Sequence, residues 1–520
     1  MTEFLASIGY NHWILNTLLI LPVVGAIPVF LARPEAAKRL ALVVGMIEAV
    51  LSLGLWWSVN TATGTMELVQ SSAWMSTWGI SYTIGIDGIS LMMVLLTTLL
   101  LPLCVLGSFN YIKSREPGYY GLLLLLTTGM VGVFIAMDMF LFYVFWELML
   151  IPMYFLIGMW GGKNRLYAAL KFFIYTMAGS LLMLVAILAM VRIAATISGT
   201  TSFSYFHLLA QSHSVLMGRW APWLFLAFFL AFAIKVPIFP FHTWLPDAHV
   251  EAPTAVSVIL ASVLLKMGTY GFLRFAIPFF PNVAFSMEVT SIVVTLAVIG
   301  IVYGALVAMV QPDIKKLVAY SSVSHLGFAM LGIWASTVQS IQGALMVMIG
   351  HGLSTGALFF LVGMLYERRH TREIDAYGGI ARVIPLFGLI LTFVALASIG
   401  LPGLNGFIGE FLVLIGSFHL HPWATGIATT GVIFAAAYLL WALQRIIFNK
   451  LDKPENEKLL DLTPRELVVL IPLLAGILWM GLYPKPVLSR MEPAAKHYLQ
   501  QARGLPIPGE AVTVTREAAR

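Results

Sequence analysis

The sequence is poor in charged residues and in cysteine. Its 30 Lys and Arg and 24 Asp and Glu make up 10% of 520 residues. Soluble proteins average about 25% charged residues, so a soluble fold of this length is excluded. The single cysteine, Cys104, excludes a disulfide framework and a thiolate-bound iron–sulfur cluster. Lys and Arg are also absent before the first apolar run, so we expect no cleavable signal peptide.

Apolar runs dominate the rest of the sequence, in which 60% of residues are hydrophobic. The runs are about 20 residues long, the length at which a helix crosses the hydrocarbon layer of a membrane. Their number predicts an all-α polytopic membrane protein with about 14 transmembrane helices.

The placement of Lys and Arg predicts how the chain is oriented. These residues concentrate in alternate connections, for example at Arg33, Lys113, Lys163, Lys315 and Lys450. Because inward-facing loops are enriched in Lys and Arg, we assign these connections to the inside and both chain termini to the outside. The net charge of +6 therefore indicates orientation rather than binding of nucleic acid.

Two predicted spans contain helix-breaking residues. The seventh, near residues 223–246, has prolines at 237, 240 and 246, and the twelfth, near 384–417, contains the segment GLPGLNG at 400–406. Proline removes a helical hydrogen bond and glycine permits unwinding, so we predict two discontinuous helices. The breaks lie five spans apart, which reverses their direction and predicts two inverted five-helix repeats, spans 4–8 and 9–13.

This topology predicts four parts of the chain. They are a three-helix N-terminal segment (1–119), a first repeat unit (120–280), a second repeat unit (281–450) and a C-terminal helix with its tail (451–520).

Six ionisable residues lie at membrane depth: Glu147, Lys235, Lys266, His325, His351 and Glu410. Four lie about 12 to 16 Å inside their spans, while Lys235 and Glu410 flank the breaks. There Lys235 is expected to end one half-helix and Glu410 to begin another. The carbonyl end of a helix attracts a cation and the amide end attracts an anion, so each residue matches its position. Each such residue costs roughly 2.5 to 3.5 kcal/mol to insert, so the set requires a functional explanation. A row of such groups joined by water is able to transfer protons.

Three residues after the first break, His242, Asp247 and His249, are candidates for an inner exit of this proton path, the alternative being ordinary loop positions. Other ionisable residues have structural explanations. Snorkelling or helix capping explains those near span ends, which are Asp138, Lys171, Arg192 and Arg274, and Asp313 is predicted to cap the tenth span. Glu48 is as deep in its span as Glu147, yet it has no evident partner.

Long segments around the six residues resemble the antiporter-like subunits of respiratory complex I. The segments are FYVFWELMLIPMY, FAIKVPIFPFHTWLPDAHVEAPT, ASVLLKMGTYGFLRF, DIKKLVAYSSVSHLGF, IGHGLSTGALFFLVGMLYERRHTR and LPGLNGFIGEF. The resemblance implies 14 helices with two inverted units and assigns the six residues to a central proton-conducting axis. Glu410 favours the branch called chain M in bacteria and the fourth ND subunit in mitochondria, because chains L and N carry Lys at this break.

The resemblance implies a non-redox, proton-translocating subunit of NADH:quinone oxidoreductase in the bacterial cytoplasmic (inner) membrane. NADH, FMN, iron–sulfur clusters and quinone would be bound by partner subunits, with no cofactor or metal in this chain, and antiporter-like neighbours would lie on both sides of it within the lipid bilayer. The hypothesis is that separating Glu147 from Lys235 drives a proton through Lys266, His325 and His351 to Glu410.

Three alternatives stay open at this point. The first is a subunit of a multisubunit sodium/proton antiporter, which the residue at 410 disfavours. The second is a membrane oxidoreductase that binds haem through His325 and His351, which an absorption spectrum would reveal. The third is a structural spacer, which leaves six buried ionisable groups unexplained.

Overall fold

Long apolar helices form most of the structure. The computed structural model describes residues 1–212 and 218–503. Within these residues, twelve helices are long and apolar enough to cross a membrane. They are Tyr10–Leu31, Pro34–Ser58, Gly88–Gly107, Glu116–Ile135, Met139–Trp160, Arg165–Ser198, Thr254–Phe279, Met287–Met309, Ile314–Ala335, Val338–Arg369, Pro422–Phe448 and Pro464–Leu482.

Two interrupted helices account for the remaining apolar segments, as predicted. In the first broken span, Ala221–Lys235 is followed by the short helix Trp244–Glu251. In the second broken span, Pro385–Ile399 ends at Gly400, whose φ of +86° suits glycine, and Asn405–Phe418 follows. The total of 14 spans, the inverted repeats and the four-part division stay predictions.

Burial differs strongly between the helices. The apolar windows of Thr254–Phe279, Ile314–Ala335 and Val338–Arg369 are 94% or more buried, so these helices form the centre. That of Arg165–Ser198 is 39% buried, and its outer side exposes large apolar side chains such as Val185. Such a surface suits lipid rather than water.

The helix Thr254–Phe279 contains two π-helical segments, Leu260–Leu264 and Phe272–Ala276. The sequence predicts a regular helix here, because neither proline nor a glycine cluster marks either segment. The π segments lie on both sides of Lys266, and single π turns within α-helices occur frequently at functional sites.

Regular structure also covers one face of the helix bundle, which we call the outer face because the predicted orientation places it outside. The strands Glu67–Met75 and Ile80–Ile86 pair antiparallel and are an exception to the predicted all-α fold. The helix Lys485–Ala502 lies on the same face, where its backbone closely approaches Gly64 and Gly88 and accepts a 3.2 Å hydrogen bond from Gln342. The shorter helices are Thr2–Ser7, Tyr205–Ser212 and Pro281–Ala284, with 3-10 turns at Ser76–Trp78, Ile374–Ala376 and Ile380–Arg382.

Candidate functional site

Four of the six residues predicted at membrane depth form a continuous polar row in the centre of the fold. Lys266 Nζ lies 2.7 Å from His351 Nδ1, and the rings of His351 and His325 are 5.7 Å apart between centroids. His325 Nδ1 in turn lies 2.8 Å from Glu410 Oε1. All four residues are buried, with at most 7% of their surface exposed. We call Lys266, His351, His325 and Glu410 the central row.

The first π segment holds Lys266 in this row. The carbonyl of Ala261, within the segment, accepts a 2.6 Å hydrogen bond from Lys266 Nζ. The neighbouring Ser262 donates a 2.7 Å bond to the carbonyl of Gly352, directly after His351. The π segment therefore joins the two helices at the point where their ionisable side chains meet.

A small cavity connects the second half of the row. It measures about 20 Å³, and its lining includes His325, His351, Ser398 and Glu410. A cavity of at least 10 to 15 Å³ with polar partners is large enough for one water molecule. His351 Nε2 has no hydrogen-bond partner within the described residues. A water at this position can therefore link the two histidines with the carboxylate.

Glu147 and Lys235 do not contact each other, although their charges interact. Lys235 is the last residue of its half-helix, as predicted, and is 1% exposed. Its Nζ lies 3.5 Å from the sulfur of Met149. Glu147 is partly exposed, and its Oε1 has no partner in the described part of the chain. The structure therefore holds this pair of charges apart.

The Glu147–Lys235 pair and the central row lie on contacting helices. Gly268, two residues after Lys266, packs on the backbone beside Lys235. A Cβ atom at Gly268 would lie 2.8 Å from the carbonyl oxygen of Phe232 and from the amide nitrogen of Val236. Only glycine permits this approach, which places Lys235 and the central row on neighbouring helix backbones.

The three candidates for an inner exit have different surroundings. His249 is fully buried and stacks on Phe359 at 4.5 Å between ring centroids. Asp247 is only partly buried and pairs with Lys171 at 2.7 Å. Two residues along a helix are about 200° apart, so the side chains of Asp247 and His249 point in opposite directions. His242 precedes this helix and packs against Phe239, with 5.6 Å between ring centroids.

The position of Glu410 differs from the predicted one. We expected it to open a half-helix, but it is the sixth residue of Asn405–Phe418, beyond the free amides of the first turn. Its charge partner is His325 rather than the helix terminus. The unwound segment is shorter than the glycine pattern suggested, because Asn405 and Gly406 are already helical.

Arg274 was predicted to snorkel near a span end, and this prediction is wrong. Arg274 is buried and forms an ion pair with Asp87, while its Nε donates a 3.2 Å bond to Tyr270. Asp87 also caps the helix Gly88–Gly107 through a reciprocal bond with Ser90. The partner lies 187 residues away in sequence, so no local pattern signals the pair.

The two capping predictions are confirmed. Asp138 accepts bonds from the amides of Phe140 and Leu141, and Asp313 accepts them from Lys315 and Lys316.

Two further buried ionisable groups were given no role by the sequence. Lys315, placed in a loop by its charge, is buried and donates a 2.5 Å bond to the carbonyl of Ala252. Glu48 is fully buried, and both of its carboxylate oxygens lack a hydrogen-bond partner within the described residues.

Comparisons with known proteins match nearly the whole chain. Residues 136–435 match the family described as "NADH:quinone oxidoreductase/Mrp antiporter, TM", and residues 17–137 match "NADH-ubiquinone oxidoreductase chain 4, amino terminus". A Rhodobacter capsulatus protein named NADH-quinone oxidoreductase subunit M is 46% identical over 473 residues, which are 90% of this chain and 91% of the relative.

Two more distant proteins give the same result. An Arabidopsis thaliana protein named NADH-ubiquinone oxidoreductase chain 4 is 41% identical, over 97% of this chain and 100% of the relative. A chain in the structure titled "Respiratory complex I from Thermus thermophilus with bound NADH" superposes with a TM-score of 0.85 at 33% identity. That match covers 94% of this chain and 99% of the other.

Proposed function

The chain belongs to the family of NADH:quinone oxidoreductase and Mrp antiporter membrane subunits, and from that premise we propose that it translocates protons as a subunit of an NADH:quinone oxidoreductase. The observation that carries the proposal is the buried row from Lys266 to Glu410 with its water-sized cavity. The match of the amino-terminal part to chain 4 favours this branch of the family over the antiporters.

In the proposed mechanism, Glu147 stabilises protonated Lys235 in the resting state. Separation of the two charges weakens this stabilisation and displaces a proton towards the central row. The contacts support transfer in the order Lys266, His351, His325 and Glu410, in which the two histidines are reversed relative to their order in the sequence. The proton leaves Glu410 to the outside, and reprotonation comes from the inside.

The energetics require more than one coupled pair. Two unit charges about 7 Å apart at an effective dielectric near 20 interact by about 2.4 kcal/mol. Moving one charge against roughly 200 mV costs about 4.6 kcal/mol. The Glu147–Lys235 pair alone is therefore too weak, and the His325–Glu410 pair is the natural second contributor.

The proposal also covers location and partners. The chain lies in a bacterial cytoplasmic (inner) membrane with both termini outside, and antiporter-like subunits flank it. Electron transfer from NADH to quinone, with the flavin and the iron–sulfur clusters, takes place in other subunits. The chain contributes to the enzyme by moving protons rather than electrons.

The test is substitution within the intact complex. Glu147→Gln and Lys235→Ala should each reduce quinone reduction and proton pumping, by up to roughly 10²-fold if the proton transfer is rate-limiting. Arg192→Ala, at an exposed membrane cation away from the row, is the matched control and should retain both activities. Full pumping in both Glu147→Gln and Lys235→Ala would remove the pair from the mechanism.

A further inference from the structure

We propose that Trp146, Phe172 and Met149 form a second binding position for the protonated amine of Lys235, which it occupies when it is separated from Glu147. The inference rests on the proposed function and adds three positioning residues to it. We call these three side chains the ammonium cage.

The geometry of the cage fits an ammonium group. Lys235 Nζ lies 5.5 Å from the ring centroid of Trp146 and 5.3 Å from that of Phe172. Both distances are within the 6 Å or so at which a cation is attracted to an aromatic face. The sulfur of Met149, a weak hydrogen-bond acceptor, lies 3.5 Å from the same nitrogen. The amine therefore has neighbours that favour a positive charge without supplying an anion.

The two aromatic walls of the cage are fixed in position. Trp146 is 1% exposed and packs against Phe232 at 5.5 Å between ring centroids. Phe172 is fully buried and packs against Trp244 at 5.3 Å. Trp244 donates a 2.9 Å hydrogen bond to the carbonyl of Ile234, directly before Lys235. The ring on which Phe172 packs is thus hydrogen-bonded to the backbone that carries the lysine.

The helix of the fifth span is interrupted at Met149, two residues after Glu147. The helices Met139–Leu148 and Leu150–Trp160 meet at Met149, because Pro152 has no amide hydrogen to bond the carbonyl of Leu148. Met149 is fully buried on the side of Lys235, whereas Glu147 is partly exposed. The same segment therefore offers the amine two positions, one beside a carboxylate and one inside the cage.

Few charges compete for Lys235 among the described residues. Glu147, on the fifth span, is the charged side chain that acts on it. On the neighbouring helix Arg165–Ser198, Lys171 is paired with Asp247. On the helix Thr254–Phe279, Lys266 contacts His351. Once Glu147 is distant, the cage is the remaining feature that stabilises the charged amine.

The experiment weakens the aromatic faces while preserving their shape. Fluorinated tryptophans with one to four fluorine atoms are introduced at position 146 of the intact complex, and proton pumping is measured as a function of pH. Each fluorine reduces the attraction for a cation, so the protonated amine loses stability. We expect the alkaline limit of pumping to move stepwise to lower pH, with complex assembly unchanged.

Substitutions at Phe172 and Met149 provide matched comparisons. Phe172→Leu removes the aromatic face and should lower pumping at alkaline pH by roughly three- to tenfold. Phe172→Tyr retains the face and should pump like the original protein. Met149→Leu removes the sulfur and should move the alkaline limit in the same direction. If Phe172→Leu prevents assembly, the fluorinated tryptophans at position 146 still test whether the cage stabilises the amine.

The possible results separate the cage from the function on which it rests. If Glu147→Gln abolishes pumping but fluorination of Trp146 leaves the alkaline limit unchanged, the cage is overturned and the proposed function stands. If Glu147→Gln and Lys235→Ala both pump fully, the pair is removed from the proposed mechanism and the cage is overturned with it. A graded shift together with loss of pumping in Glu147→Gln supports both.

Discussion

At the scale of single residues, the side chains of the central row are held to different degrees. Lys266 has two fixed partners, the carbonyl of Ala261 and the ring of His351. His325 has one, the carboxylate of Glu410. The contact between the two histidines is wider, with 5.7 Å between ring centroids. The adjacent cavity, which is large enough for one water molecule, therefore lies at the widest step of the row.

Filling the cavity should interrupt the row without removing an ionisable group. Ala397 lines the cavity, and Ala397→Val would add two methyl groups to a space that holds about one water. We expect pumping to fall about tenfold or more, because water-mediated proton transfer depends on that molecule. The control is Leu389→Val on the exposed side of the same half-helix. Normal pumping by an assembled Ala397→Val complex would show that the cavity is not part of the path.

The buried ion pair between Arg274 and Asp87 should contribute to stability rather than to transport. Burial raises the pKa of Asp87, but the charge of Arg274 and the bonds from Ser90 outweigh it and hold the pKa below its usual 3.8. Arg274→Leu leaves a buried carboxylate without its partner and should cost about 3 to 5 kcal/mol. Thermal unfolding of the purified complex measures this loss.

The loss should depend on pH in a defined direction. In the original protein, Asp87 is ionised in both the folded and the unfolded state at neutral pH. The stabilisation by Arg274 is therefore complete above the pKa that Asp87 has in the unfolded chain, and it is lost only as the pH falls through the lowered pKa of the folded state. In Arg274→Leu, burial without the cation favours the protonated carboxyl, so the deficit should shrink from pH 8 to pH 5. A deficit that grows over this range would contradict the assignment. Arg274→Lys retains the charge and should recover part of the stability.

At the scale of helices, the first π segment sets the direction of Lys266. Deletion of Ala261 should convert this segment to regular helix and remove the carbonyl that accepts the hydrogen bond from Lys266 Nζ, which releases the lysine from its fixed position beside His351. We expect assembly to continue and pumping to be lost, as measured in sealed vesicles. Ala261→Ser keeps the chain length and the backbone carbonyl, so it should retain most of the activity. Equal pumping by both variants would exclude a role for the π segment.

The helix breaks show which elements a sequence can predict. Pro237 and Gly400 remove or relax backbone hydrogen bonds wherever they occur, so both broken spans were predictable from residue type. The π segment around Ala261 has no such residue. It is favoured by contacts with another helix, in particular the bond from Ser262 to Gly352. Elements that depend on distant partners in this way lie beyond local pattern analysis.

At the scale of the whole molecule, composition and depth were sufficient to predict the membrane class and the six ionisable residues. They did not give the order of His351 before His325, because that order depends on how two central helices pack. They also coupled Glu147 to Lys235, as the pair whose separation starts proton transfer. The structure separates them, because Met149 and two aromatic rings surround the lysine instead.

The helix Lys485–Ala502 has a mechanical consequence for the whole fold. It lies across the outer face, from Gly88 to Gln342, and so connects parts of the chain that are distant in sequence. A transport cycle in which these parts tilted against each other would have to break the contacts of this helix at every turnover. Proton movement here is therefore better served by a rigid scaffold, in which only side chains reorient and water molecules exchange places.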